Sequence, residues 1–201
     1  MALKPYSISF DEAATISGGA ATAWQALIHD GGLQAGERVL IHGAAGGVGL
    51  FAVQFAKWKG AHVIGTASAA NVDFVRSLGA DIVIDYSSTS FEQVVQDVDL
   101  VLDTVGGETL ERSWAVIKSG GTLISLLEQP SLEKAQELGI RALKPSRLST
   151  SEDLKAIVQL MEEGIVKTII AGTFPLYEAG LAHEMSQRGH GRGRIVLHVS
   201  D

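Results

Sequence analysis

Three glycines, Gly43, Gly46 and Gly49, break an apolar stretch at G-x-x-G-x-x-G spacing, with Gly47 beside the second. Val39-Leu40-Ile41 stands before them as a short run suited to a strand covered on both faces. Val48, Phe51, Ala52, Phe55 and Ala56 come next at helical spacing. A turn without Cβ atoms lets backbone approach a ligand closely. The helix after it begins with unbonded N–H groups at its positive dipole end, and the two together favour a phosphate. The spacing is not the usual G-x-G-x-x-G, and a plain structural turn is the alternative. The strand before and the helix after give the motif the context it needs.

Other residue types offer less. The six histidines are scattered, and His183-Glu184 lacks a second histidine four residues on, so no metal site is expected. Asp85 and Asp103 close apolar runs, where they either orient a ligand or cap backbone N–H groups. Arg192 and Arg194 either approach a phosphate from the tail or lie on a solvated face. No nucleophile, base and acid stand together, and the catalytic residues stay unassigned.

The elements that must position the glycine turn alternate. Strands are expected at 38–42, 62–66, 82–85, 100–103, 122–126 and 140–143, with helices at 48–59, 71–78, 91–95, 108–117 and 132–138 between them. This alternation implies a doubly wound α/β fold with a parallel six-stranded sheet and right-handed crossovers. Ligand then sits at the carboxyl ends of the strands where their order reverses, beside the turn, Ser68, Tyr86, Thr104, Val105, Leu126 and Leu127. Ser9-Phe10-Asp11-Glu12 reads as a capping box before a helix at 11–16. Gly18-Gly19 is expected to interrupt it before a second helix at 20–28. A tail carries a helix capped by Thr150, then strand-like runs at 167–172 and 194–199 around a helix at 176–187. The division expected is leading helices (1–37), a core (38–145) and a tail (146–201).

Composition narrows the partners. A net charge of −7 argues against a nucleic-acid surface. The absence of cysteine excludes disulfides and thiolate metal sites and fits a cytoplasmic protein. The first residues lack the apolar core of a signal peptide, and no run is long enough to span a bilayer, so no membrane partner is expected.

Several motifs in order then resemble one family. They are His42-Gly-Ala-Ala-Gly-Gly-Val-Gly49, Ala52-Val-Gln-Phe-Ala-Lys57, Leu78-Gly-Ala-Asp-Ile-Val-Ile-Asp-Tyr86, Asp103-Thr-Val-Gly-Gly107 and Gly189-His-Gly-Arg-Gly-Arg-Ile-Val196. With Thr22-Ala-Trp-Gln-Ala-Leu27 they resemble the cofactor domain of the medium-chain dehydrogenases/reductases, in the quinone-oxidoreductase-like branch. The resemblance implies a Rossmann fold in which Gly46, Gly47, Val48 and Gly49 hold a pyrophosphate. It also implies Thr22 near a nicotinamide, and Leu126, Leu127 and Phe174 lining the nicotinamide pocket. The bland alternatives are a Thr22 hydroxyl bonded to its own helix and leucines that are simply core. Family members begin with a GroES-like barrel that this sequence does not encode, so the chain is expected to be the cofactor half of an enzyme. The two strand-like runs of the tail would then be left with open edges, and a homo-oligomer is expected.

The cofactor turns on the end of the second strand. Gly65-Thr-Ala-Ser-Ala-Ala-Asn71 holds no acid to grip a ribose 2′-hydroxyl, while Ser68 suits a 2′-phosphate and Tyr86 the adenine or phosphate, as in the relatives. No Lys or Arg occurs between Lys59 and Arg76, which weakens a phosphate site. NADP is expected, with NAD the alternative. The functional expectation is hydride transfer to a quinone, enone or similar small carbonyl. A nucleotide-binding module without turnover is the second reading. A methyltransferase is the third, disfavoured because its second strand typically ends in an acid.

Overall fold

A computed structural model describes residues 3–145, 148–189 and 191–199. Ser146 and Arg147, at the expected start of the tail, and His190 of the terminal motif lie outside the described residues.

Six parallel strands form the central sheet: β1 (Arg38–Ile41), β2 (His62–Ala67), β3 (Ile82–Asp85), β4 (Val98–Asp103), β5 (Ile117–Ser125) and β6 (Arg141–Leu143). Their order is β3-β2-β1-β4-β5-β6, so the sheet reverses direction of growth between β1 and β4. Val39, Leu40 and Ile41 of β1 pair with Val63, Ile64 and Gly65 on one side and with Leu100, Val101 and Leu102 on the other. All six of these apolar side chains of β1 and β4 are essentially without exposure, because helices cover both faces. The helices are α3 (Gly49–Trp58), α4 (Val72–Ser77), α5 (Gly107–Ser113) and α6 (Leu132–Leu138), after two earlier ones, α1 (Phe10–Thr15) and α2 (Ala21–Trp24). Among the described residues no helix is long and apolar enough to cross a membrane.

The leading helices differ from expectation. Ser9 and Glu12 do form the capping box of α1. Gly18 and Gly19 do not interrupt the helical path: residues Ile16–Ala20 continue as a π segment into α2, and Gln25–Asp30 form a second one. The glycines serve close approach instead. A Cβ on Gly19 would stand 2.6 Å from the carbonyl oxygen of Gly47. The expected helix at 91–95 is a single 3-10 turn, Phe91–Gln93, in which Ser90 makes no side-chain cap. Gly120 and Gly121 fall inside β5 rather than before it, in a register shift where Val98 pairs with Ile117 and Leu100 with Thr122.

The tail contributes α7 (Ser151–Glu162), β7 (Ile170–Pro175), α8 (Ala179–Gln187) and β8 (Arg194–His198). The last two strands pair in parallel as a separate two-stranded sheet. Asp153 fastens α7 to the leading helices. It accepts hydrogen bonds from Trp24 Nε1 (3.1 Å), His29 Nε2 (2.6 Å) and the N–H and hydroxyl of its own cap, Thr150. Burial opposes the charge on Asp153, but the bonds from His29 and Thr150 outweigh it and hold the carboxyl down at about 2. The stability this contributes is complete above the unfolded value of about 3.9 and is lost as pH falls through about 2. Asp153→Asn is therefore expected to lower stability by about 2 kcal/mol at neutral pH. Chemical denaturation at pH 7 and at pH 2.5 checks this. The gap between parent and variant should narrow at the lower pH, and an equal gap at both would refute the assignment.

Candidate functional site

The chain leaves β1 through His42 and enters α3 at Gly49, so the glycine turn lies at the carboxyl edge of the sheet, where the strand order reverses. Gly43 begins the turn at φ +67°, a conformation that side chains with a Cβ rarely adopt, and a Cβ there would meet the Thr104 hydroxyl at 2.5 Å. Gly46 N–H closes the turn on Gly43 O at 2.9 Å. The next three N–H groups, of Gly47, Val48 and Gly49, make no hydrogen bond among the described residues, while Leu50 N–H already bonds back to Gly46 O. Three free donors at a helix start make a cradle for an anion. Gly49 itself faces inward: a Cβ on it would lie 2.2 Å from Gly43 O, so this glycine permits the packing of turn against helix.

Two cavities flank the turn and share Gly46. One, of about 660 Å³, collects Gly46, Ser68, Tyr86 and Val105, together with Phe91, Asn71 and Arg112. The other, of about 490 Å³, runs from Gly46 and Gly47 to α8 and the small sheet, past Met185, Arg194 and Leu197. Ser68, Tyr86 and Val105, which come from the ends of three different strands, thus meet at one opening. Leu126 and Leu127 come after β5 at the same edge, with Leu126 N–H on Asp103 O and Leu127 beside Gly106. Thr22 sits one turn beyond Gly18 and Gly19, which touch Arg194 and the glycine turn. Its hydroxyl bonds weakly to Gly18 O at 3.4 Å, the bland alternative foreseen for it. Phe174 stands apart in the small sheet, paired with Leu197 and close to Gly172, and lines neither cavity.

The two strand-end acids serve the backbone. Asp103 is fully buried and accepts from Val105 N–H (3.0 Å), Gly106 N–H (2.9 Å) and the Ser125 hydroxyl (2.7 Å), tying β4 to β5 at the site. Asp85 accepts from the hydroxyl and N–H of Ser87, and those bonds lower its pKa.

The arginines of the tail are the larger surprise. Gly193 N–H bonds to Ala45 O at 3.1 Å, which lays the segment before β8 across the glycine turn. Arg194 rests its side chain on Gly47, and its guanidinium has no carboxylate partner among the described residues. Arg192 reaches the loop after β2. It donates to Ala70 O (2.6 Å) and Asn71 Oδ1 (2.7 Å) and stacks over Phe74 at 5.1 Å. The base absent from 60–75 is therefore supplied from 121 residues further along. Arg194 is half-buried against the turn, whereas Arg192 is solvent-exposed and is held to the loop by these contacts.

A nicotinamide dinucleotide fits this arrangement: free N–H groups at the turn for a pyrophosphate, the Arg194 guanidinium beside it, Arg192 at the loop after β2, and no acid at the end of that strand. Among the described residues no three His, Asp or Glu come together as a metal-ligand cluster.

Comparison with known proteins agrees with the geometry. The profile of a family described as zinc-binding dehydrogenase matches residues 78–197. The human protein named NAD(P)H oxidoreductase RTN4IP1, mitochondrial, is 36% identical over 98% of this chain, which spans 57% of the human one. The structure of the quinone oxidoreductase from Coxiella burnetii superposes with a TM-score of 0.91 at 36% identity, covering 98% of this chain and 63% of that one. A mycobacterial protein complexed with NADPH superposes at 0.87 and 26% identity, over 96% of this chain and 66% of that one.

Proposed function

Because the chain belongs to the zinc-binding dehydrogenase family of the medium-chain dehydrogenase/reductase superfamily, we propose that it is the NADP-binding portion of an oxidoreductase acting on a quinone, enone or similar carbonyl. The observation that carries this reading is the glycine turn with its three unbonded N–H groups, with Arg194 against Gly47 and Arg192 on the loop after β2. In this reading Gly46, Gly47, Val48 and Gly49 bind the pyrophosphate. Ser68, Tyr86 and Arg192 surround the adenosine ribose and its 2′-phosphate. Thr22, Val105, Leu126 and Leu127 border the nicotinamide end, and Phe174 is the further candidate for it, from the small sheet. When bound, the cofactor supplies the hydride, so the protein's task is to bind, orient and exclude water. The names of the human relative and of the NADPH complex support the choice of a nicotinamide cofactor and, in the second, of its phosphorylated form. In the cell we place the chain in the cytosol on its cysteine-free composition, although the human relative is named as mitochondrial.

The chain spans about three fifths of the length of the relatives it matches, and this favours a second reading, a binding module that needs further residues for turnover. The small sheet agrees with it. A two-stranded parallel sheet is rarely left with both edges open, and Leu197 (37% exposed) and Val199 (80%) stand on its second strand and just after it. We therefore expect the isolated chain to self-associate through β7 and β8 and to oxidise NADPH with a quinone slowly or not at all. Sedimentation and a NADPH-oxidation assay on the purified chain test both parts. A strictly monomeric chain with robust turnover would show that the small sheet is self-sufficient and that the second reading is wrong.

A further inference from the structure

His42 precedes the glycine turn, and every polar atom it has is engaged. Its N–H donates to Leu102 O (2.9 Å), and its carbonyl accepts from the Thr104 hydroxyl (2.8 Å). Its ring is buried, 1% exposed, with Nδ1 3.1 Å from Thr66 Oγ1 and Nε2 3.0 Å from Ser113 Oγ. The Ser113 hydroxyl hydrogen is committed elsewhere, to Thr109 O at 2.7 Å. Ser113 Oγ can then only accept from the ring, so the proton sits on Nε2. Nδ1 is left as an acceptor and takes the Thr66 hydroxyl hydrogen. Thr66 Oγ1, having donated, accepts from Gly43 N–H at 3.3 Å. The result is one directed chain: Gly43 N–H to Thr66, Thr66 to His42, His42 to Ser113, Ser113 to Thr109 in α5. A neutral imidazole is required throughout. Burial supplies it by lowering the ring's pKa to about 4, against the charge of Asp103, while Arg112 adds to the lowering and Glu92 opposes it.

We infer that His42, fixed as the Nε2–H tautomer between Thr66 and Ser113, is a positioning residue that sets the entry of the glycine turn and hence the affinity for a dinucleotide. The inference rests on the dinucleotide reading above. It concerns the turn rather than the 2′-position, so it predicts equal effects on NADPH and NADH. Thr66→Val keeps the side-chain shape but removes both the donor to His42 and the acceptor for Gly43 N–H. It should weaken both cofactors about fivefold to tenfold. Thr66→Ser, which keeps the hydroxyl, should restore them to within about twofold of the parent. Nitrogen-15 NMR of the histidine-labelled parent should show the His42 proton on Nε2 and none on Nδ1. A proton on Nδ1 overturns the inference, as does a Thr66→Val protein that melts lower yet binds both dinucleotides like the parent, because His42 would then be structural only. A parent that binds neither dinucleotide ends the underlying reading and this assignment with it, whatever the tautomer; failure of the variants in a parent that binds normally ends this inference alone.

Discussion

Gly46→Val is expected to weaken dinucleotide binding about a hundredfold while the fold survives. Gly46 is the residue of the turn that lines both cavities, and its backbone is where a pyrophosphate must come closest. A Cβ there has one protein neighbour, Gly43 O at 3.2 Å, so the chain itself can accommodate the change by a small shift. The added branches then project into the space a ligand needs. Gly49→Val would not be informative, because the Cβ would collide with the carbonyl of Gly43 and break the turn before any ligand arrived. Calorimetric titration with NADPH, with thermal melting of the same sample, checks the prediction. A variant that melts close to the parent and binds as tightly would place the phosphate elsewhere.

Arg192→Ala is expected to cost NADPH about tenfold to a hundredfold in affinity and to leave NADH within about threefold. A charge-assisted hydrogen bond to a phosphate is among the stronger single contacts a surface can make, and a 2′-hydroxyl offers no charge to lose. Arg192 is held in place by Ala70 O, Asn71 Oδ1 and the ring of Phe74, so little side-chain freedom remains to be frozen on binding. The ratio of the two dissociation constants is the readout. An unchanged ratio, with both cofactors weakened alike, would mean that Arg192 merely braces the loop.

The two predictions differ in how far they could be read from the sequence. The glycine turn was legible because its logic is local: strand, turn and helix are consecutive, and the apolar spacing announces each. The six parallel strands came from the same alternation, while their order is seen only in the fold. Arg192 was not legible as a ligand for the loop after β2, because a search for a base confined to residues near Ala70 finds none. Only the passage of residues 191–194 beside the turn brings it there. Gly18 and Gly19 misled in another way. Glycine pairs usually end helices, but here both lie inside one, where a Cβ on Gly19 would meet the Gly47 carbonyl and one on Gly18 the Arg194 guanidinium. The role of Asp103 as a backbone ligand was the commoner of the two readings open to it, and the geometry selects that one. His42 gave no chemical signal in one dimension, since Thr66 and Ser113 lie 24 and 71 residues away.

The central claim is that this chain holds a nicotinamide dinucleotide at the glycine turn with a preference for the 2′-phosphate. Isothermal titration of the purified chain with NADPH, NADH and S-adenosylmethionine tests it most directly. The account predicts saturable one-to-one binding of NADPH, NADH weaker by about tenfold or more, and no binding of S-adenosylmethionine. Binding of S-adenosylmethionine with neither dinucleotide, or NADH bound more tightly than NADPH, would contradict it.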